Sequence, residues 1–255
     1  MTIKVGVLGA SGRMGSEVCK AVVNDLETSL VSAIDEMNVG ENVAGSDVRI
    51  TDDFSALEDA NVIVDFTVAD SARKNLQHVA KAGIHAVVGT TGLTKSDIEE
   101  LGDLFTNSNC VIASNFAISA VLMMRFSEMA APHFDNVEII EYHHNSKIDA
   151  PSGTALTTAE RISASSSEWN TSSTSNHVLD GARGGITKDG VSIHSVRMEG
   201  MVAHQDVIFG TEGQTLTIRQ DSYDRSSFMP GVLLAVKKVG DFPGITLGLE
   251  PLLNL

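Results

Sequence analysis

The chain has 255 residues, 42% of them hydrophobic, and a formal net charge of −15 at pH 7. That length supports one large domain or two small ones, each with its own core. The apolar runs are short and broken by charge, which excludes a bilayer span, and so acidic a surface repels phosphates, which excludes nucleic acid as a partner.

The opening residues MTIKVGVLGA are too short and too strand-like for a secretory signal, so the expected location is cytoplasmic. Residues 3–9 form an apolar run ending in glycine and read as a buried strand. A helix follows, with Met14, Val18, Ala21 and Val22 on one face. Cys19 lies here and Cys110 far along the chain; both are expected as reduced, buried thiols, and no Cys/His spacing suggests a metal site. Further strands are predicted over 30–35, 61–67, 85–92 and 109–115, with helices over 71–83 and 94–105. Apolar strands alternating with helices predict a parallel sheet covered on both faces.

After residue 115 the pattern changes. Residues 117–130 read as a long helix whose methionines, Met123, Met124 and Met129, suit core or interface packing. Strands over 136–144, 191–198, 206–210 and 214–222 have the mixed polarity of a sheet with one covered face. The Ser/Thr-rich stretch 163–176 reads as a mobile low-complexity segment, and 227–240 as a helix despite Pro230 near its start.

Two motifs carry chemistry. The first is GASGRMG, with glycines at 9, 12 and 15 between the first strand and helix. Gly9 suits the tight turn, Gly12 a close approach to pyrophosphate, and Gly15 the packing of helix on strand. Phosphates would then meet free N–H groups at the helix N-terminus. Asp35 ends the second strand, about 20 positions on, where an acid accepts ribose hydroxyls. Glu36 follows it, so a 2′-phosphate would meet two negative charges; this tilts the cofactor toward NAD, with Arg13 the cation able to offset that bias. Phe66-Thr67 and Gly89-Thr90-Thr91-Gly92 fall at other strand ends, where a doubly wound sheet binds ligands.

The second motif is HHNSKIDAPSGTA, residues 143–155. It gathers two imidazoles, an ammonium and a helix start capped by Ser152, with the amides of Gly153 and Thr154 able to take a carboxylate. In a regular strand the rings of His143 and His144 face opposite ways, unless the strand is ending. Reduction of an anionic substrate needs such a set, because hydride attack at one carbon requires a proton elsewhere.

Taken in order, VGVLGASGRMG, VDFT, GTTG, SNFAIS, EYHHNSKIDAPSGTA, VRMEGMVAHQDVIFG and SYDRSSFMPGVLLAV resemble the 4-hydroxy-tetrahydrodipicolinate reductase family, also called dihydrodipicolinate reductases. The resemblance spans nearly the whole chain, and the HHxxKxDAPSGTA element is its most specific part. It implies a Rossmann-type α/β fold: a doubly wound parallel dinucleotide-binding domain (1–116 and 225–255) split by an inserted α+β mixed-sheet domain (117–224) that binds substrate and assembles a homotetramer. It implies NADH- or NADPH-dependent reduction of a cyclic imine dicarboxylate to tetrahydrodipicolinate, in the diaminopimelate route to lysine; Asp35 and Glu36 add the expectation that NADH is at least comparable. By position in the motif, His143 is the implied catalytic proton donor and acceptor and Lys147 a proton donor. His144, Gly153 and Thr154 contact substrate, while Gly9, Ala10, Ser11, Gly12, Arg13, Met14, Asp35, Gly89, Thr90, Thr91, Ser114, Asn115, Phe116 and Ala117 bind the dinucleotide.

Four positions depart from the family's habit. Asn145 and Ser146 stand where a basic residue or histidine is frequent, which implies weaker substrate binding or a replacement charge from Arg183 or Arg197. Glu36 stands where some members have arginine, against a strong NADPH preference, and Gln220 replaces a histidine. Two other readings remain at this point. An amino-acid dehydrogenase would share GASGRMG but lack the histidine–lysine block, and a non-catalytic NAD(H) sensor would have no need of Lys147 beside His143.

Overall fold

The structure, a computed structural model, describes residues 2–166, 169, 170, 174 and 176–255. The chain begins with β1 (Ile3–Leu8), in which Val5, Val7 and Leu8 are buried, and turns at Gly9, φ +77°, toward α1 (Arg13–Asn24). There follow β2 (Thr28–Ile34), β3 (Ile50–Thr51), β4 (Val62–Asp65), α2 (Ala69–Lys81), β5 (His85–Val88), α3 (Lys95–Leu104) and β6 (Cys110–Ile112). Helix α3 is started by a full capping box: Thr94 accepts from the Asp97 amide while Asp97 accepts from the Thr94 amide.

The chain continues through α4 (Ile118–Ala130), β7 (Asn136–His143), α5 (Gly153–Ser165), β8 (Gly185–Ile186), β9 (Ser192–Arg197), β10 (Ala203–Thr211) and β11 (Gln214–Ser222). It closes with a 3-10 turn (Arg225–Phe228), α6 (Met229–Lys238), β12 (Ile245–Leu247) and α7 (Glu250–Leu253). Pro230 sits in the first turn of α6, where a missing N–H breaks no helical bond.

Contacts divide the chain into two compact units, Met1–Ile118 with Arg225–Leu255, and Ser119–Asp224. The first holds a seven-stranded sheet in the order β12-β6-β5-β4-β1-β2-β3, with every neighbouring pair parallel. The order reverses direction at β1 and β4, the switch point outside which doubly wound sheets bind ligands. Leu8, Ile63, Leu76, Val79, Val88 and Phe105 are buried in one core cluster of this unit. The second unit is a mixed five-stranded sheet, β11-β10-β7-β9-β8, in which only β7 and β9 run parallel.

The strand–helix alternation is as the sequence predicts, with ends that differ. Strands predicted over 85–92 and 109–115 stop at Val88 and Ile112, because their last residues turn to meet ligand-side loops. The strand predicted over 206–210 is nine residues long, Ala203–Thr211. Its first three residues, 203–205, escaped detection because His204 and Gln205 are buried polar residues, so the sequence there shows neither an apolar run nor alternation. Gln205 donates to the Thr158 hydroxyl at 2.9 Å, and Asp206 accepts from Tyr142 and Arg219. Met123 and Met124 are core residues, whereas Met129 is 58% exposed. Of the segment 163–176, expected to be mobile, the first three residues belong to α5, and residues 167, 168, 171–173 and 175 lie outside the described residues.

Candidate functional site

In the first unit the ligand-side loops converge on buried polar anchors. Helix α1 begins at Gly12 with no side-chain cap and no acidic residue in its first turn, so its leading N–H groups and positive pole are left for an anion. Its close seat on the turn requires glycine at 15: a Cβ there would lie 1.9 Å from the Gly9 carbonyl oxygen. Asp35 follows β2, and its carboxylate accepts from the Ser11 amide and the Met37 amide, both at 2.9 Å. Each carboxylate oxygen has a second lone pair, so the bonds that place Asp35 leave acceptor capacity for ribose hydroxyls. Arg13 and Glu36 are exposed. The residues present therefore fit a dinucleotide: an uncapped helix start for pyrophosphate, and a fixed acid one strand over.

A second anchor was not anticipated from sequence. Asp65, fully buried at the end of β4, accepts from the Thr67 amide and hydroxyl, from Asn75 Nδ2 at 3.0 Å and from the Thr90 hydroxyl at 3.1 Å. It ties the turn after β4 to the turn after β5. The Thr90 side chain is thereby turned inward, so Thr90 has its backbone rather than its hydroxyl to offer a ligand. Gly89 lets the Phe66 ring pass, since a Cβ there would lie 2.0 Å from it, and that ring packs on Phe116 with centroids 5.7 Å apart. Phe116 and Ala117 are buried and Ser114 is exposed, so this loop meets solvent mainly through its first residues. Burial pushes the Cys19 thiol up to about 12 and the Cys110 thiol up as well, which leaves both inert.

In the second unit the histidine–lysine turn is built around a buried ion pair. Strand β7 ends at His143, and beyond it His144 is exposed with Nδ1 bonded to the Ser146 hydroxyl at 2.8 Å. The His143 Nδ1 lies 2.5 Å from Glu141 Oε2. Glu141 has no exposed surface, and Arg197 grips it as a fork: Nη2 donates to Oε1 at 2.7 Å and Nη1 to Oε2 at 3.0 Å. The Ser152 amide donates to Oε1 at 3.3 Å. Arg197 Nη2 also donates to the Asp149 carbonyl, and the Lys147 ammonium pairs with the Asp149 carboxylate at 2.7 Å. Ser152 caps α5 by accepting from the Ala155 amide at 3.2 Å, as predicted, with Gly153 and Thr154 as the first helical positions.

Burial pushes the Glu141 carboxyl up, but hydrogen bonds from His143 and Arg197 outweigh it and hold the group at about 2. Of the two arginines named as replacement charges, Arg197 bonds Glu141 and the Asp149 carbonyl, and Arg183 pairs with Glu138. Gln220 is buried and donates to the hydroxyls of Ser119 and Ser222, so the residue replacing histidine is a structural donor within the unit. Glu141 itself escaped the sequence reading, although a signal existed. It stands in phase with Val137 and Ile139 on the buried face of β7, where an acid requires a partner.

Among the described residues no group of three or more His, Cys, Asp or Glu is arranged to hold a metal ion, and no helix is long and apolar enough to cross a membrane. Comparison with known proteins covers both units. Family models described as dihydrodipicolinate reductase, N-terminus, and dihydrodipicolinate reductase, C-terminus, match residues 3–116 and 119–253. The 4-hydroxy-tetrahydrodipicolinate reductase of Corynebacterium urealyticum is 48% identical, over 99% of both chains, and that of Nocardia farcinica is 47% identical over the full length of both. A dipicolinate-bound dihydrodipicolinate reductase from Paenisporosarcina sp. TG-14 superposes with a TM-score of 0.89 at 37% identity, covering 98% of this chain and 99% of that one. An amine dehydrogenase from Mycobacterium smegmatis shares the fold, with a TM-score of 0.64 at 14% identity, over 96% of this chain and 95% of that one.

Proposed function

The chain belongs to the dihydrodipicolinate reductase family, oxidoreductases of the diaminopimelate route to lysine, and from that premise we propose that it reduces 4-hydroxy-tetrahydrodipicolinate to tetrahydrodipicolinate. Substrate and product differ by one hydroxyl replaced with hydrogen, so one hydride and one proton enter the ring system and one water leaves. A reduced nicotinamide supplies the hydride when bound. The protein supplies the proton and the grip on a dianion.

The observation that carries this reading is the second unit's turn, where His143, Lys147 and the start of α5 are fixed by one buried ion pair. His143 carries the proton and Lys147 adds a second donor and a positive charge, which it shares with Asp149 until a substrate carboxylate arrives. The amides of Gly153 and Thr154 take one carboxylate at the positive pole of α5, and His144 flanks the ring. In the first unit, residues 9–14 hold the pyrophosphate, Asp35 the adenosine ribose, and the Gly89–Thr91 and Ser114–Ala117 loops the nicotinamide half.

Asp35 with Glu36 beside it disfavours a 2′-phosphate, so NADH serves at least as well as NADPH. The enzyme works in the cytoplasm as a homotetramer. Exposed apolar side chains on the second unit, including Ile186, Met198 and Leu216, support assembly through that unit. Absorbance at the nicotinamide band, with the condensation product of pyruvate and aspartate semialdehyde as substrate, tests the reaction. Rapid NADH loss that requires this product is expected, and NADH loss indifferent to it would overturn the reading.

A further inference from the structure

A fully buried carboxylate two residues before a histidine that carries a proton is a strong constraint on that histidine. Glu141 is fixed independently of His143, by the Arg197 fork from the neighbouring strand β9 and by the Ser152 amide from the turn. An ionised carboxylate only accepts hydrogen bonds. The Arg197 guanidinium, the Ser152 amide and the Ser195 hydroxyl all donate to this carboxylate, and its Oε2 lies within bonding distance of His143 Nδ1. Nδ1 must therefore carry the hydrogen, which leaves Nε2 as the nitrogen that takes up and releases a proton. The ring is part-buried, with 16% of its side chain exposed.

We propose that Glu141 is the positioning residue of this active site, setting the tautomer and orientation of His143 through Nδ1, with Arg197 as the clamp that keeps its carboxylate in place. The assignment rests on the reading of His143 as the proton carrier. The same clamp reaches the second proton donor: Arg197 holds the Asp149 carbonyl, and the Asp149 carboxylate holds Lys147. One buried pair thus sets the spacing of both donors and, through Ser152, the start of α5. Outer partners of this kind orient a functional imidazole without touching substrate.

A double-mutant cycle on the full-length enzyme tests it. Glu141→Gln should lower kcat by about 10- to 100-fold and leave the KM for NADH unchanged. In the His143→Ala background the same change should lower kcat less than about twofold, because the residue it serves is gone. Equal losses in both backgrounds would make Glu141 a structural residue and overturn the proposal. Histidine-selective 15N NMR of the wild-type enzyme at alkaline pH gives a second readout that needs no Glu141 variant. The His143 ring, identified by its loss in His143→Ala, should be protonated at Nδ1; protonation at Nε2 would overturn the proposal. A His143→Ala enzyme with wild-type kcat would overturn the reading of His143 and the proposal with it. A slow His143→Ala beside a fast Glu141→Gln would overturn the proposal alone.

Discussion

The turn after β1 and the turn after β7 both lead from a strand to a helix start, and they are held in opposite ways. The first is held by the absence of side chains. Gly9 adopts a positive φ, and Gly15 lets its helix sit against the Gly9 carbonyl at a distance no Cβ survives. The second is held by charge: Glu141, Arg197, Asp149 and Lys147 link strand, turn and helix start in one chain of bonds. A backbone-built turn can wait for an anion without a charge of its own. A charge-built turn can move protons but depends on every partner being present.

The contrast is sharpest at Lys147. Lys147→Ala should lower kcat about 100- to 10,000-fold while fluorescence titration shows NADH binding intact. Equal loss of NADH binding would put Lys147 in the dinucleotide site. Acid should attack the charged turn next. The Glu141 carboxyl is depressed in the folded state from its ordinary 4.5 to about 2, so below pH 4.5 the unfolded chain binds more protons than the native one. Its contribution, on the order of a few kcal/mol, is present above about pH 4.5 and is lost as the pH falls toward 2. Urea unfolding at pH 5 and pH 3 should show a loss that is smaller in Glu141→Gln, and equal losses would contradict a strongly held carboxylate.

Gly15→Ala should destabilise by about 3 kcal/mol, read as a lower urea midpoint, because backbone rather than a flexible side chain blocks the new methyl. Gly153→Ala is its counterpart in the other turn. A Cβ there has no neighbour within 4 Å, so stability should hold or rise slightly, even if substrate KM suffers. Ser152→Ala removes the α5 cap and should cost about 1 kcal/mol, with a raised substrate KM as its kinetic trace. The smallest expected effect is the coenzyme ratio. NADPH should not exceed NADH in kcat/KM, and a hundredfold advantage for NADPH would show that Arg13 or another cation outweighs Asp35 and Glu36.

Much of the first unit was legible because its signals are local. Glycine spacing, apolar runs and the acid after β2 are each read within a short window, and strand–helix alternation with a parallel sheet follows from them. Elements with no window were missed: β3 and β8 are two residues long, and two or three residues have no period to detect. In the site, His143, Lys147 and the Ser152 cap share one stretch of thirteen residues and stood out together. Asp65 and Glu141 did not: Asp65 looks like an ordinary acid at a strand end, Glu141 shows only its phase with Val137 and Ile139, and the partners that define them lie 25 and 56 residues away.

The sequence by itself determined the fold class, the dinucleotide turn, the capped start of α5 and the family, because each depends on residue types at short fixed spacings. Only the tertiary structure decided which charges are spoken for. Arg197 and Arg183 read as spare cations along the chain and are bound to Glu141 and Glu138 in the fold. For Glu141 the physical reason is that burying a charge demands a partner of opposite sign at bonding distance, and that Arg197 meets the demand is settled by strand pairing, β7 against β9, rather than by proximity in sequence.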